Sequence, residues 1–317
     1  SGGDKVESTT AVSTAADHTL YAHWTANSYT VTFDGQGGSA PNPSSKQVTF
    51  GSAYGSFATS SRDGYTLAGW YHSSIGSSSL FTESSLVALA EDHTLLAHWD
   101  AITYDIAYTL NGGTNSQDNP AHYSIESETI TLAAPTRDGY DFVGWYADVN
   151  LSIPQPLIPK GSMGNKTLYA KWAVAFYSVS YELDSGTNAP GNPTVYTILE
   201  NTITLLNPTR SHYTFGGWYT TSEFTGTAVT SIPSGSFGDK TFYAKWVPDS
   251  YTITYVLNDG TNASSNPPSY TIETPTITLA TPTKLHYDFG GWYAASDFSE
   301  SAITTMPTGS TGDITLH

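Results

Sequence analysis

Tyr140-Asp141-Phe142-Val143-Gly144-Trp145-Tyr146 decides how this chain is read, because the chain writes the same pattern four times. It returns as Tyr65-Thr66-Leu67-Ala68-Gly69-Trp70-Tyr71, as Tyr213-Thr214-Phe215-Gly216-Gly217-Trp218-Tyr219 and as Tyr287-Asp288-Phe289-Gly290-Gly291-Trp292-Tyr293. The tryptophans stand at 70, 145, 218 and 292, in steps of 75, 73 and 74 residues. A second set, Trp24, Trp99, Trp172 and Trp246, closes a Thr-apolar-apolar-Ala-basic run and keeps the same steps. Two separate signals holding one period mark a tandem array. The units are residues 25–99, 100–172, 173–246 and 247–317, and residues 1–24 are the tail of a preceding unit.

Each unit opens on an alternating stretch: Tyr29-Thr30-Val31-Thr32-Phe33, Tyr104 to Tyr108, Tyr177 to Tyr181 and Tyr251 to Tyr255. Apolar residues at every second place predict a half-buried strand. Gly, Asn and Asp then cluster at 34–38, 111–113, 184–186 and 258–260. These residues tolerate positive φ, so the clusters predict hairpin loops. A second strand is expected from Tyr123 toward Leu132, from Tyr196 to Leu205 and from Tyr270 to Leu279. A bend follows at Pro135-Thr136-Arg137, Pro208-Thr209-Arg210 and Pro282-Thr283-Lys284, with the basic stem covering apolar surface. The first unit has Ser60-Ser61-Arg62 there. Only Glu83 to Leu89 offers a helical turn, and the chain is read as mainly β.

The Trp-bearing strand holds a conflict. Strict alternation sends Trp145 to the face opposite Phe142 and Tyr146. A bulge at Gly144 would return the indole to the core. Without a bulge the ring lies on an outer face, against a neighbouring unit or open to a ligand. On that second reading Trp70, Tyr71, Trp145, Tyr146, Trp218, Tyr219, Trp292 and Tyr293 form repeated stacking platforms.

From each closing Trp to the next opening Tyr the interval is five residues: 24 to 29, 99 to 104, 172 to 177 and 246 to 251. The intervening residues, such as Ala173-Val174-Ala175-Phe176, are partly apolar and not Gly/Ser-rich. Linkers of this kind do not behave as flexible coil, so the array is expected to be a monomeric, semi-rigid rod.

An opening Tyr-x-Val/Ile-x-Phe/Tyr, a Pro-Thr-basic step, Tyr-x-Phe-x-Gly-Trp-Tyr and Thr-Leu-Tyr-Ala-Lys-Trp together resemble the Listeria–Bacteroides repeat, the B-repeat of internalin-type bacterial surface proteins. The resemblance implies small β-grasp, ubiquitin-like units strung in tandem in a secreted or wall-attached protein. It also implies a stalk or adhesive region, with no catalytic residues to carry over.

Composition narrows the function further. Eleven Lys and Arg against 28 Asp and Glu give a formal charge of −17, which disfavours nucleic acid and anionic lipid as partners. With no cysteine there are no disulfides, thiolate metal sites or cysteine nucleophiles. No apolar run reaches the eighteen or so residues of a membrane span, so no direct membrane insertion is expected. The chain starts inside a unit and reads as an excised piece whose targeting and anchoring segments lie elsewhere. His317, where other units place Tyr or Leu, reads as the first residue of a tag.

The nine histidines drift in position: His23 and His98 fill the place of Lys171 and Lys245, and His212 and His286 that of Gly64 and Gly139. Drift of this kind points to surface residues and to no metal site. No phosphate-binding loop, Ca²⁺ loop, carboxylate dyad or nucleophile elbow repeats, and no cofactor is called for. Two function classes stand. One is a non-catalytic spacer or adhesive stalk, extracellular or on the cell surface. The other is a multivalent module that binds a host or cell-surface protein or a glycan.

Overall fold

A computed structural model describes residues 3–74 and 79–317. Among these residues every regular element is a strand and none is a helix. The Glu83 to Leu89 stretch is a turn followed by an isolated bridge between Leu86 and Ala53, which corrects the helical expectation. Ser and Thr crowd the segment, and such residues bond to nearby backbone in place of a helix. Residues 3–27 form no strand and lie exposed.

The chain packs as two compact units. One comprises Ser1–Ala107, Asp118–Leu132 and Gln155–Leu168; the other comprises Tyr108–Gln117, Ala133–Pro154 and Tyr169–His317. The first contains a complete repeat. Its sheet runs Ser45–Thr49, Ser28–Asp34, His93–Ala101, Tyr65–Tyr71 in spatial order. The two middle strands are parallel, with Val31 opposite His93, and the outer ones are antiparallel to them. The second unit repeats the plan with Val195–Tyr196, Tyr177–Glu182, Lys240–Pro248 and Tyr213–Tyr219. Joining parallel neighbours requires a crossover, usually a helix. Here the crossover contains the hairpin strand and the Trp strand, together with a short ribbon in which Ile203–Thr204 pairs with Ser231–Ile232.

The expected second strands are broken in two. Val195–Tyr196 joins the main sheet, whereas Ile203–Thr204 belongs to the ribbon; a turn closed by Glu200 N–H to Thr197 O separates them. The ribbon recurs as Ile277–Thr278 with Thr305–Met306 and as Ile130–Thr131 with Leu157–Ile158.

The Trp strand carries the bulge. Register against the closing strand slips between Phe215 and Gly217, so Gly216 has no opposite number, and Gly217 takes φ +118. The same slip passes over Ala68 before Gly69 and Val143 before Gly144, where φ is +151 and +155. A side chain is strained at such φ, which is why glycine precedes each tryptophan. The extra residue turns the indole inward. Trp70, Trp145, Trp218 and Trp292 are buried to 2, 2, 1 and 3 % exposure. Trp218 packs tilted against Tyr181 at 5.2 Å and edge-on against Phe215 at 5.3 Å, inside a core with Val179, Tyr196, Ile232 and Phe242.

Of the closing tryptophans, Trp24 is exposed, whereas the other three are half-buried and pin the hairpin loop. Trp99, Trp172 and Trp246 donate Nε1–H to the carbonyls of Gly35, Leu110 and Leu183 at 2.9, 2.9 and 2.8 Å. In the fourth repeat Ile314–Leu316 pairs parallel with Tyr251–Tyr255. Tyr293 exchanges both backbone bonds with His317. A cavity of about 500 Å³ lies beside Leu257, Gly260, Phe289 and Trp292, the place that the Trp246 indole takes in the third repeat.

Replacing Trp218 by Ala removes the largest side chain of its core and leaves a void. It is expected to cost about 3–5 kcal/mol, read as a lowered midpoint for one transition in chemical denaturation.

Candidate functional site

Two regions hold the residues with functional potential: the edge around Gly-Trp-Tyr and the joints between repeats. At the edge the eight sequence-predicted residues separate. Each indole of the Gly-Trp-Tyr set is enclosed and satisfied, with Nε1–H donating to Ala58, Ala133, Leu206 and Ala280 carbonyls at 3.1, 2.9, 3.1 and 3.1 Å. None of the four presents a face to a ligand, which corrects the platform reading for Trp70, Trp145, Trp218 and Trp292. The tyrosines stay half-exposed. Lys171 Nζ lies 4.9 Å from the Tyr146 ring centre and Lys245 Nζ 5.5 Å from that of Tyr219, within cation–π reach. Tyr71 meets His98 edge-on at 6.2 Å.

Sequence reasoning missed the other half of this edge. Phe224 stands 5.6 Å from Tyr219, and Phe298 5.4 Å from Tyr293, both edge-on. Leu151, Phe224 and Phe298 end four-residue turns in the left-handed conformation, with φ +55, +54 and +55. That conformation favours glycine and costs a bulky residue about 1–2 kcal/mol. Phe224 and Phe298 nevertheless remain 38 and 52 % exposed. The signal was present as Leu151, Phe224 and Phe298 in steps of 73 and 74, between the Trp strand and the closing strand.

A second missed group is structural. Asn192 is buried; its Oδ1 accepts the Leu206 N–H at 2.7 Å, and its Nδ2 donates to Leu206 O and Asn188 Oδ1 at 2.9 and 2.7 Å. Asn266 repeats this with Ala280 and Asn262. Each thereby holds the carbonyl that also receives the Trp218 or Trp292 indole N–H. The recurring Asn-x-x-x-Asn-Pro at 188–193 and 262–267 was legible.

The histidines also divide. His93 is not a surface residue: it is buried, its Nδ1 is 2.9 Å from Glu91 O, and its Nε2 is 2.8 Å from the Tyr54 hydroxyl. Among the described residues no cluster of three or more His, Asp or Glu side chains could hold a metal ion. No buried side-chain polar atom among them lacks a partner. No described helix is long and apolar enough to cross a membrane, which does not bear on β-barrels.

The joints are built from backbone and a hydrophobic plug. Past each closing strand an amide donates to the corner before the preceding Trp strand: Ile102 to Gly64, Ala175 to Gly139 and Asp249 to His212, at 2.9, 3.0 and 3.0 Å. At the first two joints an isoleucine of the following repeat fills that corner. A Cβ on Gly64 would come within 2.7 Å of Ile125, and one on Gly139 would collide with Ile198. Tyr65 donates to Glu126 across the first joint at 3.1 Å, and Tyr213 to Glu273 across the third at 3.0 Å. The second joint has Leu199 in the Glu place. At the third joint His212 replaces the corner glycine, and its Nδ1 lies 2.9 Å from the Tyr251 hydroxyl. The basic residues of the bend stack on tyrosine rings. Arg62, Arg137 and Arg210 lie 3.9, 3.7 and 3.9 Å from the ring centres of Tyr65, Tyr140 and Tyr213.

An array of repeats whose described elements are all strands, joined by short linkers, defines a class of modular β protein. The profile of the Listeria-Bacteroides repeat domain matches residues 29–98, 104–171, 177–245 and 251–317, and the chain belongs to that family. It is 30% identical over 277 residues to a protein of Evansella cellulosilytica named as a Gly-rich membrane protein, covering 87% of this chain and 31% of that protein. A second protein of that organism, named as a membrane protein, is 29% identical over 250 residues, 77% of this chain and 37% of its own length. Internalin H of Listeria monocytogenes is 33% identical over 113 residues, 35% of this chain and 20% of that protein. The chain therefore spans about a third or less of the relatives it matches.

Two outcomes follow from this geometry. Gly139→Val places a branched side chain at φ +79 against Ile198. It is expected to loosen the joint, seen as faster hydrogen exchange of the Ala175 amide with the Trp145 core still protected. Burial pushes the phenols of Tyr108 and Tyr181 from 10.0 up to about 12. A raised phenol pKa means the folded state holds the proton more tightly. This contribution is whole below about pH 10 and is lost as pH rises through about 12. Alkaline unfolding in that window, followed by circular dichroism and tyrosinate absorbance, checks it.

Proposed function

We propose that the chain is a non-catalytic spacer or adhesive stalk of a secreted or cell-surface bacterial protein. Its repeats on this reading are β-grasp-like modules that follow one another as a monomeric rod. The observation that carries the proposal is the construction of the joints. Each linker spans only a few residues, and each joint adds an amide bond to the preceding corner, with an isoleucine plug or a tyrosine clasp beside it. Ordered contacts at every joint suit a part whose task is to hold distance, since free rotation would shorten its reach. The mixed sheet with a parallel centre supports the β-grasp likeness in plan, with loop and ribbon where that fold has its helix. Relatives named as membrane proteins and as an internalin support a surface location.

Small-angle scattering tests the reading: an elongated particle with a length set by the repeat number is expected, and a compact globe would reject it.

A second reading has its own support in Phe224 and Phe298, kept exposed at a conformational cost beside Tyr219 and Tyr293. On this reading the repeats bind a cell-surface protein or glycan weakly at each edge and gain avidity from repetition. Phe224→Gly with Phe298→Gly is then expected to raise thermal stability while abolishing retention on a glycan array or on host cells. Loss of stability in the double variant, with retention unchanged, would assign these rings to packing.

A further inference from the structure

The tyrosines that open the second, third and fourth repeats each face another tyrosine across an antiparallel pair. Register sets Tyr104 opposite Tyr123, Tyr177 opposite Tyr196 and Tyr251 opposite Tyr270. Ring centres lie 5.5, 5.7 and 5.6 Å apart, at interplanar angles of 44, 45 and 47°. The first repeat sets Tyr29 opposite Val48 and has no such pair. One ring of each pair is sealed in its core: the Tyr123, Tyr196 and Tyr270 hydroxyls donate to the carbonyls of Gly164, Gly238 and Gly312 at 2.5, 2.6 and 2.5 Å. The other ring, Tyr104, Tyr177 or Tyr251, is half-exposed. Directly opposed residues on one sheet face are the closest cross-strand neighbours a sheet provides.

We propose that these three pairs are sites of oxidative tyrosine–tyrosine cross-linking, with hydrogen peroxide acting through a haem peroxidase as the oxidant class. The accessible phenol loses an electron and its proton and becomes a neutral phenoxyl radical. A carbon ortho to its oxygen bonds to the ortho carbon of the inner ring. The adduct loses a second electron and proton, and the hydrogens left on the joined carbons shift to oxygen, restoring both phenols. Two electrons and two protons leave each pair and reduce one peroxide to two waters.

The chain has 22 tyrosines and no cysteine, so this chemistry supplies a covalent fastening that disulfides cannot. Each link ties the opening strand to its neighbour and restricts the unfolded chain as a disulfide would. The three pairs are not equivalent. His212 Nδ1 lies 2.9 Å from the Tyr251 hydroxyl and is placed to take its proton as the electron leaves. The Tyr251–Tyr270 pair therefore reacts first.

The test treats dilute, folded chain with haem peroxidase and limiting hydrogen peroxide. Expected are the blue fluorescence of dityrosine, a chain that stays monomeric on a denaturing gel, and a mass loss of two hydrogens per link. Peptide mapping should find Tyr251 joined to Tyr270 before the other two pairs. Tyr104→Phe, Tyr177→Phe and Tyr251→Phe keep the ring and leave the buried hydroxyl bonds intact; each is expected to erase its own link while the thermal transition before oxidation persists. Links that form between chains, or through the exposed Tyr21 and Tyr287 with the facing pairs left unjoined, would overturn the proposal. Equal yield of the three links from urea-unfolded chain would overturn it as well.

Discussion

The structure depends on one local constraint: a tryptophan must reach the core from a strand whose alternation would send it outward. The slip between Phe215 and Gly217 resolves this by leaving one residue unpaired, and the backbone there takes a φ that only glycine adopts without strain. Once inward, the Trp218 indole is the largest fully buried side chain of its repeat, and its N–H needs an acceptor. Leu206 O provides one, and buried Asn192 fixes Leu206 through its amide and carbonyl. Glycine, indole, carbonyl and asparagine thus form a dependent series, written again at Gly291, Trp292, Ala280 and Asn266.

A small β core of this kind has limited stability by itself. The chain compensates by leaving little slack between repeats. The strand His93–Ala101 is followed after one residue by Thr103–Thr109, so a closing strand runs almost directly into the next opening strand. The corner before the Trp strand then serves two repeats: it turns its own chain into the bulged strand and receives the isoleucine of the next. Where His212 stands in place of glycine, a histidine–tyrosine contact occupies the same corner. The three joints are thus variations on one contact, and their chemistry differs more than their geometry.

The outer edge shows the opposite economy. Leu151, Phe224 and Phe298 accept an unfavourable backbone conformation while staying partly in water. Edge-on packing against Tyr219 and Tyr293 recovers part of that cost. Strain retained in three repeats is the feature of this fold that core packing explains least.

The sequence by itself determined the repeat, its period, the opening, Trp-bearing and closing strands and the shortness of the linkers. Each of these is carried by residue type and spacing along one chain: alternation at Tyr29 to Phe33, turn residues at 111–113, short apolar linkers. It also held two signals that went unused, the Asn-x-x-x-Asn-Pro series and the apolar residue at 151, 224 and 298. Only tertiary structure decided which face the Gly-Trp-Tyr indole takes, because a bulge is a property of register between two strands and appears in neither strand alone. Only tertiary structure set opening and closing strands parallel, placed Tyr104 opposite Tyr123, and buried His93 against Tyr54. Those choices depend on residues tens of positions apart coming into contact, and a period-two pattern names a strand's face without naming its neighbour.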